Sequence, residues 1–100
     1  MPAYIIASIE VTNPEAYQGY SSQVEATLER FGGRFLVRGG NLQPLEGGEW
    51  FDPRLVVIEF PSVKAAHNWY ESDDYQRILP IRQQNSKGRL VIANGYVPTR

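Results

Sequence analysis

The chain has 100 residues and a formal net charge of −1, with a pI near 5.8. That fits one domain with one core and provides no broad basic face for nucleic-acid phosphates. It holds no cysteine, which excludes disulfides and thiolate metal sites. The longest apolar stretches, Tyr4 to Ile9 and Leu55 to Ile58, are strand-sized and fall short of the roughly 20 residues a membrane-spanning helix needs. Met1-Pro2-Ala3-Tyr4 runs straight into patterned sequence in place of a secretory signal, so a cytoplasmic location with no membrane partner is expected.

Ala3 to Val11 alternates Ile5, Ala7, Ile9 and Val11 against Tyr4, Ile6, Ser8 and Glu10, which predicts a first strand with apolar groups on both faces. Asn13 as cap and Pro14 at the first helical position open a helix expected to run to Phe31. Its core stripe is Tyr17, Tyr20, Val24, Leu28 and Phe31. Gly32-Gly33 ends it, and Arg34 to Arg38 forms the second strand. The segment Gly39 to Pro53 is rich in turn residues yet carries Leu42, Leu45, Trp50 and Phe51, the pattern of a functional or docked loop.

Arg54 to Phe60 sets Leu55, Val57 and Glu59 against Val56, Ile58 and Phe60, a central strand with two apolar faces. Pro61-Ser62 caps a helix from Val63, and Ser72-Asp73-Asp74 caps a further piece that Pro80 is expected to kink or interrupt. After Lys87-Gly88, the last strand is expected through Arg89 to Ala93, with Asn94 to Val97 as its continuation past a bend. The order βαββαβ predicts an α+β, ferredoxin-like fold with a four-stranded antiparallel sheet. Two helical segments cover one sheet face, and the apolar residues on the other predict a homodimer, since soluble monomers rarely expose a large apolar patch.

The runs Gly32-Gly33-Arg34-Phe35-Leu36-Val37-Arg38-Gly39-Gly40, Arg54 to Ser62 and Trp69-Tyr70-Glu71-Ser72, with Tyr75 and Ile81-Arg82, resemble a bacterial family, domain of unknown function 1330. The resemblance covers nearly the whole chain. It implies membership of the dimeric α/β-barrel superfamily, in which two ferredoxin-like sheets pair and a small-molecule cavity often lies between sheet and helices. That superfamily includes cofactor-free monooxygenases, lactone isomerases, haem-degrading enzymes and proteins without known chemistry, so the resemblance assigns no reaction.

Arg38 ends its strand before two glycines and offers a planar cationic fork to a carboxylate or enolate, or else makes a surface or interface ion pair. Glu59 shares a strand face with Leu55 and Val57. Burial there would suit it to general-base work, with a structural pair to Arg38, Arg54 or Arg82 as the alternative reading. His67, the single histidine, is a proton shuttle or a helix-surface residue. Tyr75 and Arg82 are candidate ligand contacts that share a helix face if the helix runs through Pro80. Arg38, Glu59 and Arg82 are expected to converge at one pocket edge. One histidine without cysteine cannot build a closed zinc site, and no haem-ligand, phosphate-loop or serine-nucleophile motif is present, so no metal and no cofactor are expected. Two functions follow: a cofactor-free enzyme acting on a small organic acid, lactone or aromatic, or a non-catalytic module that binds a small ligand or dimerises.

Overall fold

The computed structural model describes residues 1–48 and 54–98. β1 (Ala3–Val11) leads into α1 (Pro14–Ser21) and α2 (Val24–Leu28), and a 3-10 turn covers Glu29–Phe31. β2 (Arg34–Arg38) and β3 (Arg54–Phe60) follow, then α3 (Val63–Glu71), α4 (Asp73–Asn85) and β4 (Ser86–Asn94). The sheet has the order β2-β3-β1-β4, and every neighbouring pair is antiparallel. This is the expected ferredoxin-like arrangement, with the helices layered on one face.

Period-two alternation decides which face each strand residue takes. Ala3, Ile5, Ala7 and Ile9 of β1 and Val56, Ile58 and Phe60 of β3 are buried under the helices. Their neighbours form the opposite, open face, where the register sets Ile6 between Val57 and Val91, and Tyr4 between Glu59 and Ala93. Ile6 and Val91 are exposed there, 36% and 56% respectively.

The first helical segment starts as expected, with Asn13 Oδ1 accepting from the Ala16 N–H (3.2 Å) and Pro14 at the first position. Tyr17, Tyr20, Val24 and Leu28 are buried. The segment is not one helix, however. At Gln23 the backbone N–H bonds to the Tyr20 carbonyl, and the Gln23 side chain donates to the Gly19 carbonyl at 2.6 Å. The tightened turn and the competing side chain end α1 after Ser21. The chain reverses at Gly32, whose φ of +72° is a left-handed conformation that glycine adopts without a Cβ clash.

Ser72 separates α3 from α4 by accepting from the Tyr75 N–H (3.2 Å) and donating to the Trp69 carbonyl (2.7 Å). Trp69, Tyr75 and Phe60 are fully buried. The Trp69 indole N–H finds Thr27 Oγ1 at 2.9 Å, which in turn donates to the Val24 carbonyl, so this polar pair is satisfied inside the core.

Two expectations about the second half are corrected. Pro80 does not interrupt the helix: α4 runs unbroken from Asp73 to Asn85. Pro80 faces solvent, where water can satisfy the carbonyl that loses its donor. The last strand also starts earlier than Arg89. β4 begins directly after the helix, and Lys87 and Gly88 pair with Glu10 and Ile9. In the long loop Leu42 is half-buried and Leu45 is 96% exposed, while Trp50 and Phe51 lie outside the described residues. Because Pro80 contributes little packing, Pro80→Ala should restore a helical hydrogen bond and raise stability by about 1 to 3 kcal/mol. Urea unfolding checks this, and a lower midpoint would show that the proline sets the helix geometry.

Candidate functional site

The site arises from an irregularity in β2. Phe35 stands opposite Ile58, but the next pair is Val37 with Val57, so Leu36 is an extra residue and the strand bulges. An unbroken strand would put Arg38 on the same face as Arg34. The bulge shifts the alternation, and Arg38 instead pairs with Val56, a residue of the helix-covered face. Its guanidinium stacks 4.5 Å from the Phe35 ring centroid. It donates to the Ser21 carbonyl at 2.5 Å, an acceptor made available by the end of α1, and lies 3.4 Å from Glu25. A cation also complements the negative end of the helix dipole there.

Between the helix-covered face of the sheet and the helices lies a cavity lined by Arg38, Arg54, Arg82, Tyr17, Tyr20, Ser21 and Trp69 among otherwise apolar side chains. Its empty volume is about 420 Å³ counting its mouth. Within it there is room for about one water. Arg54 stands at the start of β3 opposite Ile9. It hydrogen-bonds the Tyr17 hydroxyl and places its Cζ 5.8 Å from the Tyr17 ring centroid. Gly39 makes room for it, since a Cβ there would come within 2.6 Å of Nη1. Arg82 reaches in from α4 and is only 6% exposed.

The electrostatics of this cavity are one-sided. Among the described residues the ion pairs are Arg30–Asp74, Arg34–Glu59 and Arg38–Glu25. Arg54 and Arg82 have no carboxylate partner there, and the Nε atoms of both are buried without an acceptor. The Tyr17 phenol is pushed above its ordinary value by burial, which outweighs the opposing pull of Arg54 and Arg82. Tyr20 is pushed higher still, by burial and then by Tyr75, whose hydroxyl lies 2.9 Å from its own. Both phenols are therefore neutral hydrogen-bond donors at physiological pH.

The expected convergence of Arg38, Glu59 and Arg82 does not form. Glu59 points to the open face of the sheet, where it pairs with Arg34 at 2.7 Å and accepts from the Tyr4 hydroxyl at 3.4 Å. Only a quarter of its side chain is exposed, so it is partly desolvated, but it lies outside the cavity. His67 is exposed on α3, in a shallow groove with Tyr70, Leu90 and Ile92. Tyr75 and Arg82 share the unbroken α4, but Tyr75 sits behind the cavity, against Trp69 at 4.0 Å between ring centroids and bonded to Tyr20. Arg38 and Arg82 do line the cavity. The sequence does not single out Arg54 as a residue of the cavity, although it lines it. Its signal was available, because Arg54 shares its strand face with Val56, Ile58 and Phe60.

A family profile described as "Domain of unknown function (DUF1330)" matches residues 2–96. The chain belongs to the DUF1330 family. No curated protein matches the sequence. Among solved structures, this DUF1330 chain is similar to the RPA0582 protein of unknown function from Rhodopseudomonas palustris, with a TM-score of 0.76 and 21% identity over 97% of this chain and 84% of that one. A dimeric ferredoxin-like protein of unknown function from Jannaschia sp. CCS1 gives a TM-score of 0.66 and 13% identity over 95% and 100%. SnoaB, a cofactor-independent oxygenase from Streptomyces nogalater, gives 0.62 and 9% over 97% and 95%. Likeness at these identities shows a shared fold, and the DUF1330 description names no reaction, so the site's chemistry rests on its own residues.

Since the folded state keeps Tyr17 and Tyr20 protonated beyond the ordinary tyrosine value near 10, the unfolded chain releases those protons first. Stability should be complete below about pH 10 and fall as pH rises above it. A phenolate absorbance titration should find fewer than all 6 tyrosines ionising before unfolding. Ionisation of all of them in the folded protein would contradict the burial.

Proposed function

We propose that the protein binds a small organic anion in the cavity between sheet and helices, and does so as a homodimer formed through the open sheet face. The observation that carries the first part is a pair of arginines at the cavity, the buried Arg82 and the half-buried Arg54, whose buried Nε atoms have no acceptor among the described residues. Burying a cation without a counter-charge is unfavourable by several kcal/mol, and an anionic ligand would supply the missing charge. The apolar remainder of the lining suits the body of an organic molecule.

The chemistry offered by this arrangement is orientation and charge stabilisation. Two guanidiniums and a neutral phenol can hold a carboxylate or stabilise an enolate. No cavity-lining side chain among the described residues is a carboxylate or an imidazole, and the phenols are held protonated. Proton abstraction by Glu59 or His67 would need a ligand outside this cavity, on the open face or at the α3 groove. The binding reading therefore takes precedence over the cofactor-free enzyme. The oxygenase reading draws its support from fold likeness to SnoaB.

The dimer is supported by the apolar open face, with Ile6, Val57 and Val91 in register across three strands, and by the dimeric relative of the same fold. A second copy placed face to face should bury at least about 1,000 Å² in total. Light scattering should give twice the monomer mass at micromolar concentration. Val57→Arg should shift it to monomer, and monomer mass in the unsubstituted protein would end the proposal.

For the cavity, a thermal-shift screen should show stabilisation by small carboxylic acids and none by neutral lactones of similar size. Arg82→Met should abolish that effect while leaving the ligand-free protein equally stable, or more stable by up to about 4 kcal/mol, as replacements of buried charge by apolar groups often do. A large loss of ligand-free stability would mean that Arg82 has a structural partner and would overturn the binding role.

A further inference from the structure

Arg82 and Leu90 belong to two walls at once. On one side they line the cavity that has room for about one water, and on the other an open groove shared with Tyr70, Gln83, Ser86 and Gly88. This groove lies between α3, the last turn of α4 and the edge strand β4, and its volume is about 660 Å³ counting its open side. Small-molecule sites span about 300 to 1,000 Å³. A carboxylate that reaches Arg82 must leave the rest of its molecule outside the cavity, and the groove has the space to hold it.

Strand alternation opens the groove. Ser86, Gly88 and Leu90 share the helix-covered side of β4, and Gly88 brings no side chain to that wall. β1 keeps it a glycine, since a Cβ there would come within 2.8 Å of the Ser8 carbonyl oxygen. The lining contains no carboxylate. Tyr70 is fixed by its ring contacts with Tyr75 and Trp69, at 5.5 and 6.3 Å between centroids, and Gln83 is exposed. Ser86 Oγ donates to the Arg82 carbonyl at 2.5 Å and keeps its oxygen lone pairs to accept. The carbonyls ending α4 would oppose an anion, but they are occupied. Ile81 accepts from the Asn85 side chain, Arg82 from Ser86, and Asn85 from the backbone N–H groups of Thr12 and Asn13. Arg82, 6% exposed, keeps a buried Nε–H without an acceptor among the described residues.

We propose that this groove receives the body of the ligand, a small hydroxylated monocarboxylate, with its carboxylate at Arg82 and its hydroxyls toward Tyr70, Gln83 and Ser86. This rests on the anion-binding reading and refines where the ligand lies. Lys87 and Arg89 alternate to the open face of the sheet, so Arg82 is the one cation in the lining and matches one negative charge.

The test is calorimetric titration and thermal shift of the intact protein with glycerate, lactate, propionate and glycerol at constant ionic strength. Glycerate should bind more tightly than lactate, and lactate than propionate, by roughly three- to ten-fold for each hydroxyl, with glycerol not detectable. Gln83→Leu and Tyr70→Phe should each remove most of the advantage of glycerate over propionate and leave propionate unchanged. Arg82→Met should abolish binding of all three acids. Arg54→Met, which alters the cavity and not the groove, should weaken the three equally. Gln83 is exposed, so its variant keeps the test decisive if Arg82→Met fails to fold. Propionate binding as tightly as glycerate, with Gln83→Leu and Tyr70→Phe without effect, would overturn the groove and leave the anion reading standing. Glycerol binding as tightly as glycerate, or no binding by any acid, would overturn both.

Discussion

Two arginines, the buried Arg82 and the half-buried Arg54, turn buried Nε–H groups to the cavity without a carboxylate to meet them among the described residues, and the rest of the site is organised around that unfavourable placement. A buried arginine in a structural role is normally found with an acid, because desolvation of an unpaired cation costs more than packing returns. Here the acids that sequence alone would nominate are elsewhere. Glu59 is held by Arg34 on the far side of the sheet, and Glu25 meets Arg38 at the rim. What Arg54 and Arg82 do have is the Tyr17 hydroxyl, held neutral by its burial. Such a cluster is more favourable when occupied by an anion than when empty, the thermodynamic condition for ligand binding to stabilise a fold.

The sheet separates two tasks. Its helix-covered face forms the core and the cavity, and its open face presents an apolar patch at Ile6, Val57 and Val91 between the Arg34–Glu59 pair and the charged residues Arg89, Glu10 and Lys87. The Arg34–Glu59 pair is more than half solvent-exposed on the arginine side and contributes at most about 1 kcal/mol. Its value lies in fixing which way the two side chains point. Because strand residues alternate, the bulge at Leu36 couples the tasks: it sends Arg34 to the open face and Arg38 to the cavity, although an even spacing would have placed them together. A one-residue irregularity in an edge strand thus sets the charge on both faces.

The strand faces of β1 and β3, the three N-caps and the antiparallel ferredoxin-like arrangement were legible in the sequence, since each follows from local rules: period-two alternation, Asn or Ser ahead of a helix, and the order of elements. The corrections fall where long-range contacts decide. The break after Ser21 depends on the Gln23 side chain reaching the Gly19 carbonyl, and nothing in the apolar stripe of Tyr17, Tyr20, Val24 and Leu28 signals it. The bulge at Leu36 is visible only in the register with β3, so Arg38 was named as a site residue for its place at a strand end rather than for its face. Glu59 was assigned correctly to the face of Leu55 and Val57. That face proved to be the one turned away from the helices, and the proposed cluster with Arg38 and Arg82 failed for that reason. Pro80 was given its ordinary helix-breaking weight, which solvent exposure relieves. Arg54 could have been found by applying to the arginine itself the alternation that placed Val56 and Ile58.

The central claim, that the Nε–H groups of Arg54 and Arg82 await a carboxylate, can be observed directly through the side-chain Nε–H resonances of the arginines in a two-dimensional nitrogen–proton NMR spectrum. On titration with glycerate the Arg54 and Arg82 resonances should shift together with one dissociation constant, while those of Arg30 and Arg34 stay in place. If neither moves at saturating glycerate, or if both already show a carboxylate hydrogen bond in the ligand-free protein, the guanidiniums are structural and the account is contradicted.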